Sequence, residues 1–430
     1  MNIPLITRII LSVLVLILYS CKPEGYKNSV DQQKKGYTGP LFELQYDYPK
    51  DTSSFKKSDT PWLDIPVNFT RPDSGTNLWS KEWKDYADCV KEYLKDNITF
   101  TDIDLQVNKD WYNIPWLAEN EYTGREYTHG ARYSFSIPST QLLPNEETRS
   151  LPIWAMAYFN KYGAYSIGKM WSEDAELLTI GNGANENLRG LPFLDGTVIF
   201  KINIIGNLKG QQPKHFNNAP QWTFNMHTIN PSEGKSLERS LQPGSIFEVD
   251  FMVKDSRSES GWVFGALAYD DSLSSENNIW DRFRYIGIQF GNDPESYPAV
   301  SSDSSKSIYQ SIRTDYSVDW NTGCSGRLAT FAGTVQQNCV GCHQPASYGV
   351  ESSGQAQRGF GLSYPGVCNS PIDSNNSDFR YYFKNGRYPT KYTGPPEVSN
   401  PISIDFSLRS FDAIKAYFKH KSKVDSLRQL

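Results

Sequence analysis

The residues of this chain with the clearest chemical meaning are Cys339 and Cys342, with His343 directly after them. Two thiols at this spacing lie one helical turn apart, so both can form thioether bonds to the vinyl groups of one haem. An imidazole in the next position then lies beneath the iron, where it can serve as an axial ligand. The motif therefore predicts one covalent haem c held by Cys339 and Cys342, with His343 as the proximal iron ligand.

Two other chemistries use the same residue types. The motif could provide three ligands of a tetrahedral zinc site, with Cys324 or Cys368 as a further ligand, although adjacent Cys and His seldom reach one ion together. A dithiol redox pair needs no histidine after its second cysteine, and it usually lies in an alternation of strands and helices that is missing around this motif. Haem attachment is the favoured interpretation of the three.

The motif leaves the sixth iron ligand open. Ordinary class-I cytochromes c take a methionine from a later segment, but all five methionines of this chain come before the motif. A second histidine could be provided by His129, His215, His227 or His420. Among these, His129 is the distal candidate, because it lies in a polar segment beside a predicted strand. An iron without a protein ligand on its distal side is the third alternative, and it would bind small molecules.

The first twenty residues have the pattern of a bacterial lipoprotein signal peptide. Arg8 precedes an apolar run from Ile9 to Leu18, and the run is followed by Tyr19-Ser20-Cys21. The run has ten residues, about half of the roughly 20 that cross a bilayer, so a signal is favoured over a transmembrane anchor. Cleavage before Cys21 would leave that residue lipidated. We therefore expect an extracytoplasmic protein, lipid-anchored to a bacterial membrane on the periplasmic side or at the cell surface.

Composition limits the classes of protein and partner. The chain has 430 residues, 14% of them aromatic, with a mean hydropathy of −0.55, as expected of a globular protein with two or three domain-sized cores. A net charge of −5, without a basic run interleaved with aromatics, argues against a nucleic-acid partner. An oxidising compartment allows a disulfide between Cys324 and Cys368, which leaves Cys89 as a free, buried thiol.

Residue patterns divide the chain into four parts. Residues 1–20 form the signal peptide, and residues 21–75, rich in Lys, Asp, Ser, Pro and Gly, form a tether and an extended segment. Residues 76–316 form the body of the fold. Residues 317–430 hold the haem attachment motif and a C-terminal helix that begins near Ser410.

The body begins with an amphipathic helix, whose apolar residues recur at three- and four-residue spacing from Trp79 to Leu94. Short runs of β-branched and aromatic residues then alternate with turn residues. These runs are Arg132–Ile137, Ile153–Phe159, Thr197–Ile205, Ile246–Val253, Trp262–Tyr269 and Arg284–Phe290. They predict a mainly β protein, an antiparallel β-sandwich with a few peripheral helices and a C-terminal haem c segment. We expect structural, turn-forming roles for Asp270, Asp271 and Asp293.

Several sequence blocks follow one another in a characteristic order. They are Asp195 to Val198, Val253 to Asp255, Gly261 to Phe264, and the haem motif. In content and order, the stretch from about 153 to 346 resembles the lysine-cross-linked, hydroxylamine-oxidising cytochromes and their relatives, the beta-type cytochromes c-prime. The resemblance implies a β-sandwich with one five-coordinate haem c and an open distal face that handles hydroxylamine or nitric oxide.

The chain departs from that pattern in its lysines and its length. A long insertion separates Lys161 and Lys169 from Asp195, so the cross-link is not carried over to either lysine. With Trp111 to Trp116, His129-Gly130 and Gly291 to Pro294, the longer chain is similar to an uncharacterised group of bacterial exported cytochromes. That group implies no particular activity.

Three functions follow as hypotheses. The first is a membrane-tethered, extracytoplasmic c-type cytochrome that exchanges electrons with a redox partner protein or binds a small diatomic or nitrogenous ligand. The second is a haem-dependent oxidoreductase acting on a small nitrogen or oxygen species at an open iron. The third is a glycan- or partner-binding sandwich, since exposed aromatic rings stack on sugars, although such rings are more often part of a core.

Overall fold

The chain is described by a computed structural model. Its described residues are 37–39, 41–73, 78–97, 110–120, 124–139, 150–178, 193–206, 216, 218–227, 239–273, 278–296, 307–316, 323, 326–330, 338–344, 346–350, 356–358, 385, 399–403 and 405–428. The predictions for the signal peptide, Cys21, Cys324, Cys368 and His215 lie outside these residues, as does the side chain of His227.

The described elements are mostly strands. The α-helices are α1 (Lys81–Asn97), α2 (Lys161–Ile167), α3 (Cys339–His343) and α4 (Leu408–Arg428). The strands are β1 (Glu119–Asn120), β2 (Gly124–Arg125), β3 (Arg132–Pro138), β4 (Ser150–Phe159), β5 (Val198–Gly206), β6 (Gln221–His227), β7 (Arg239–Lys254), β8 (Trp262–Tyr269), β9 (Phe283–Gln289), β10 (Ser311–Arg313), β11 (Ser347–Val350), β12 (Ala356–Arg358) and β13 (Ser399–Ser403). Short 3₁₀ helices span Lys57–Asp59, Pro61–Asp64, Ile279–Arg282 and Pro294–Ser296.

One antiparallel sheet of eight strands dominates the fold. Its order is β10-β9-β8-β7-β5-β4-β3, and β6 pairs with the first half of β7. Strands β1 and β2 form a small hairpin, and β11 pairs with β12 and β13. The prediction of a mainly β, antiparallel protein with a few helices is therefore confirmed.

The central strands are buried on both faces. Along β5, Val198, Phe200 and Ile202 pack in the same core as α1, whereas Ile199 points to the opposite face. Ile199 lies there with Met252 of β7, in the same core as α3 and α4. We call these the α1 face and the α3 face of the sheet. A nearly continuous apolar run in β5 and β8 follows from this double burial.

The two predicted amphipathic helices are present. The apolar stripe of α1 consists of buried Trp83, Tyr86, Val90 and Leu94, and Cys89 is half-buried beside it. Helix α4 begins at Leu408, two residues before the predicted start, because Ser407 Oγ accepts the N–H of Ser410 and caps the first turn. No helix among the residues listed above is long and apolar enough to cross a membrane.

The turn before β5 requires a glycine at position 196. Gly196 has φ +87°, and a Cβ at this position would lie 2.3 Å from Cγ2 of Thr60. Only glycine fits this combination of backbone and close approach. Thr197 N donates to Leu194 O at 3.0 Å across Asp195 and Gly196, so the pair forms a tight turn, and the Asp195 carboxylate accepts from Ser256 N at 3.0 Å.

Candidate functional site

The haem motif forms a single helical turn, α3. The side chain of Asn338 caps this turn by accepting a hydrogen bond of 2.8 Å from Gly341 N. Cys342 N donates to Asn338 O at 2.9 Å, as in a regular first turn. Cys339, Cys342 and His343 are therefore brought together on one short helix, as predicted from their spacing.

Buried amides hold α3 against the end of β9. Gln289 accepts from Val340 N at 3.2 Å and donates to the Asn338 carboxamide at 3.1 Å. The next contact along the helix is made by Asn292, whose side chain donates to Gln344 at 3.2 Å. All four polar side chains are nearly or fully buried, so their hydrogen bonds fix the position of α3 on the sheet.

The His343 ring is oriented by a backbone carbonyl. Its Nδ1 lies 2.9 Å from Phe406 O, and a carbonyl can only accept, so Nδ1 carries the proton. Nε2 then keeps its lone pair, which is the arrangement of a metal-ligating histidine. Burial lowers the pKa of His343 to about 4, against the opposing effect of this hydrogen bond, so the ring is neutral at neutral pH. The ring centroid lies 5.1 Å from that of Phe264.

The two cysteines share this buried environment. No disulfide joins Cys339 to Cys342. Burial raises the pKa of the Cys339 thiol, and the nearby Asp250 carboxylate raises it further. The described part of the chain contains no group of three or more His, Cys, Asp and Glu side chains arranged to hold a metal ion, and the further ligands of the zinc interpretation lie outside it.

A row of polar side chains lies on the α3 face of the sheet, and sequence reasoning missed it. Asn203 Nδ2 donates to Glu248 at 2.9 Å and to Asp250 at 2.8 Å, and Lys201 Nζ lies 2.8 Å from Asp250. We call these four residues the polar row. The charges of Lys201 and Asp250 act on His343 and on Cys339, which places the row near α3.

The polar row contains unsatisfied acceptors. Among the described residues, Oδ1 of Asn203 and Oδ1 of Asp250 are buried and accept no hydrogen bond. An unpaired buried acceptor costs about 1–3 kcal/mol, so it marks a place where a donor is expected. Polar residues two positions apart inside two otherwise apolar strands were the signal available in the sequence.

His129 lies in a different environment from His343. Its buried ring stacks on Trp222 at 5.0 Å and contacts Phe224 at 4.6 Å, and both partners belong to the core of the α1 face. His129 also lines a cavity together with Arg409, a partly buried residue whose charge acts on Cys342. Its role as a distal ligand stays a prediction, and the stacking gives its ring a packing role.

The loop that carries His129 is organised by Glu126. This fully buried carboxylate accepts from the backbone N–H of Thr128 at 2.9 Å, His129 at 2.8 Å and Ala131 at 3.1 Å. It also accepts from Asn225 N of β6 at 3.0 Å. One side chain therefore satisfies four backbone donors from two segments.

The remaining candidate residues have other contacts. His420 is exposed on α4, with its ring 4.7 Å from that of Trp116. Lys161 lies 2.5 Å from Asp59, and Lys169 lies over the Tyr165 ring at 4.4 Å.

The three aspartates make structural contacts, and Asp270 makes the turn contact that we expected by accepting from Ser272 N at 2.9 Å. Asp270 pairs with Arg284 at 2.8 Å, and Asp271 pairs with Arg282 at 2.7 Å. Asp293, in a turn at φ +44°, accepts from the backbone N–H groups of Tyr309 and Gln310.

The chain matches no protein-family model, no curated protein and no solved structure with which it was compared. The family resemblance of the sequence blocks therefore stays a prediction.

Proposed function

We propose that this chain is an extracytoplasmic c-type cytochrome with one covalent haem, and that it exchanges electrons with a redox partner or binds a small ligand. The observation that carries the proposal is the state of the His343 ring. This ring lies on the same helical turn as the two cysteines, and its Nδ1 is hydrogen-bonded to Phe406 O. This donor set fits haem c, since Cys339 and Cys342 offer thiols for the vinyl groups and His343 offers a neutral imidazole. Bound haem would supply a one-electron ferric/ferrous couple.

The proposal includes a membrane anchor and a layered fold. The segment before Cys21 supports export and lipid attachment through its composition alone. A sandwich is supported by β7, since Gly244 pairs with both β5 and β6, whereas β8 pairs with β7 only from Glu248 onward. If β7 bends between Ser245 and Glu248, its first half and its second half would lie in different layers, as in sandwiches in which one strand passes from one sheet to the other.

The glycan-binding hypothesis has less support. Trp79 is partly buried and the other described tryptophans are buried: Trp62, Trp83, Trp111, Trp116, Trp154, Trp171, Trp222, Trp262 and Trp280. Rings in these positions fill the core and cannot stack on a sugar. We therefore retain only the two haem-based functions.

The spectrum of the wild-type protein tests the proposed function. Produced in a bacterial host that attaches haem c, the chain is expected to keep one haem after denaturation and to show a reversible ferric/ferrous couple. Nitric oxide is then added to the protein. A change in the spectrum indicates an iron whose sixth position accepts ligands, and an unchanged spectrum indicates a sixth position that a side chain fills. The control is a known c-type cytochrome made in the same host. Attachment to the control with none to this chain would contradict the proposal.

A second candidate function is a haem-dependent oxidoreductase acting on a small nitrogen or oxygen species. The polar row favours it, because Asn203 and Asp250 each present a buried acceptor without a donor, near α3. Such groups can accept hydrogen bonds or protons from a small substrate. Hydroxylamine with a one-electron acceptor such as ferricyanide is the reaction to test.

In that reaction, Asp250→Asn is expected to lower kcat/KM by roughly 100-fold, since removal of a proton-accepting group usually costs a factor of this size. Asp271→Asn is the matched control, because both carboxylates are about four-fifths buried and pair with one cation at a similar distance. If the haem-loaded wild-type protein consumes no hydroxylamine, this substrate is excluded. If the two variants have equal rates, Asp250 takes no part in the reaction.

A further inference from the structure

Asp405 is a buried carboxylate with several donors from the sheet. Its two oxygens each lie 3.0 Å from Lys254 Nζ at the end of β7. Trp262 Nε1, at the start of β8, donates to it at 3.1 Å, and Phe193 N donates at 3.0 Å. The Asp405 and Lys254 side chains are 1% and 5% exposed, so the ion pair lies inside the protein.

The backbone next to this carboxylate is in an unusual conformation. Asp405 and Phe406 have φ values of +47° and +66°, the left-handed region that residues with a Cβ seldom adopt. Two such residues in succession persist only where their surroundings hold them. The donors on Asp405 provide that restraint, because they come from two strands of the sheet, β7 and β8, and from the segment before β5.

The restrained turn aims one carbonyl at the proximal histidine. Phe406 O accepts from His343 Nδ1 at 2.9 Å and from Leu408 N at 3.1 Å, at the start of α4. The direction of this carbonyl depends on the backbone angles of Asp405 and Phe406. The chain of contacts therefore runs from Lys254 through Asp405 to the imidazole of His343.

We propose that Asp405, held by Lys254, is a positioning residue for the axial ligand. This inference rests on the proposed function. By fixing the Phe406 carbonyl on Nδ1, Asp405 orients the ring and strengthens electron donation from Nε2. Stronger donation favours the ferric form, so the pair keeps the reduction potential low.

Asp405→Asn removes the charge at nearly constant volume, but it also removes the carboxylate that pairs with the buried Lys254 ammonium, and loss of one partner of a buried ion pair strongly destabilises a fold. The double variant Lys254→Met, Asp405→Asn removes both charges and keeps the chain foldable. Asp255→Asn is the matched control. Asp255 is equally buried and paired, at 2.7 Å from Arg257, but its other side-chain partner is Tyr86 of α1.

The readouts are the reduction potential and the NMR signals of the His343 ring in the haem-loaded protein. The variants without the Asp405 carboxylate are expected to shift the ferric/ferrous equilibrium about tenfold toward the ferrous form, which is about 59 mV for one electron. The ring signals should move with the potential. Asp255→Asn should leave both at their wild-type values even if it lowers stability.

A folded double variant with the wild-type potential and wild-type ring signals would overturn the inference. A wild-type chain without covalent haem would instead mean that the proposed function had failed. In that case the contact is tested in the haem-free chain through the ¹⁵N shift of His343 Nδ1. The double variant should move that signal and Asp255→Asn should not, and an unmoved signal in the double variant would again overturn the inference.

Discussion

Replacing Cys339 and Cys342 together by alanine will produce a chain with no covalently bound haem. The two thiols are the only groups of α3 that can form thioether bonds, and they lie on one helical turn capped by Asn338. Haem stain on a denaturing gel, with the mass of the intact chain, measures this loss. The expected change is complete, because a covalent link has no partial substitute.

Cys89→Ala is the control for that experiment. This half-buried thiol lies on α1, at the opposite face of the sheet, and its loss should leave the attached haem unchanged. Far-ultraviolet circular dichroism should show the same secondary structure in both variants. Full haem attachment in the double alanine variant would refute the assignment of these cysteines.

Glu126→Ala is expected to lower the free energy of unfolding by about 3–4 kcal/mol. The carboxylate accepts from four backbone N–H groups and is fully buried, so truncation leaves several donors without partners. Each unsatisfied buried donor costs about 1–3 kcal/mol, and water that enters the space recovers part of this loss. Urea unfolding of the haem-loaded protein, with the midpoint compared at unchanged slope, measures the effect.

Glu173→Ala provides the comparison for Glu126. Glu173 also loses a short contact, to Lys50 at 2.7 Å, but its side chain is 82% exposed. Exposed pairs contribute little to stability, so we expect an unfolding midpoint that cannot be distinguished from that of the wild type. Similar losses in the two variants would show that burial of the Glu126 hydrogen bonds is not what stabilises this loop.

Local periodicity predicted most of the elements that have a regular apolar pattern. Trp262–Tyr269 forms β8 with the predicted bounds. The first half of β7 was missed, because Pro243 and Gly244 resemble a turn. In the fold, Pro243 pairs with β6 and Gly244 pairs with both β5 and β6, which keeps these residues in the strand. Strand β6 was also missed, although its buried Trp222, Phe224 and Met226 alternate with polar residues as in a half-buried strand.

The candidate site was predictable only where its residues are neighbours in sequence. The α3 turn follows from adjacent residues, but the carbonyl that orients His343 comes from Phe406, 63 positions later. The polar row depends on the register that places Asn203 opposite Glu248, and Lys201 opposite Asp250. The polar residues of the row are visible in their own strands, but neither pairing has a local signal, because each contact joins distant segments.

The Phe406 contact also has a consequence for the order in which the protein is made. A chain leaves the ribosome from its N-terminus, so the cysteines of α3 emerge before the segment that orients the imidazole. If the chain carries haem c as proposed, the haem could be attached to Cys339 and Cys342 before α4 docks onto the sheet. In the proposed cytochrome, the contact that orients the iron ligand would therefore be made by a segment that follows the motif by 63 positions.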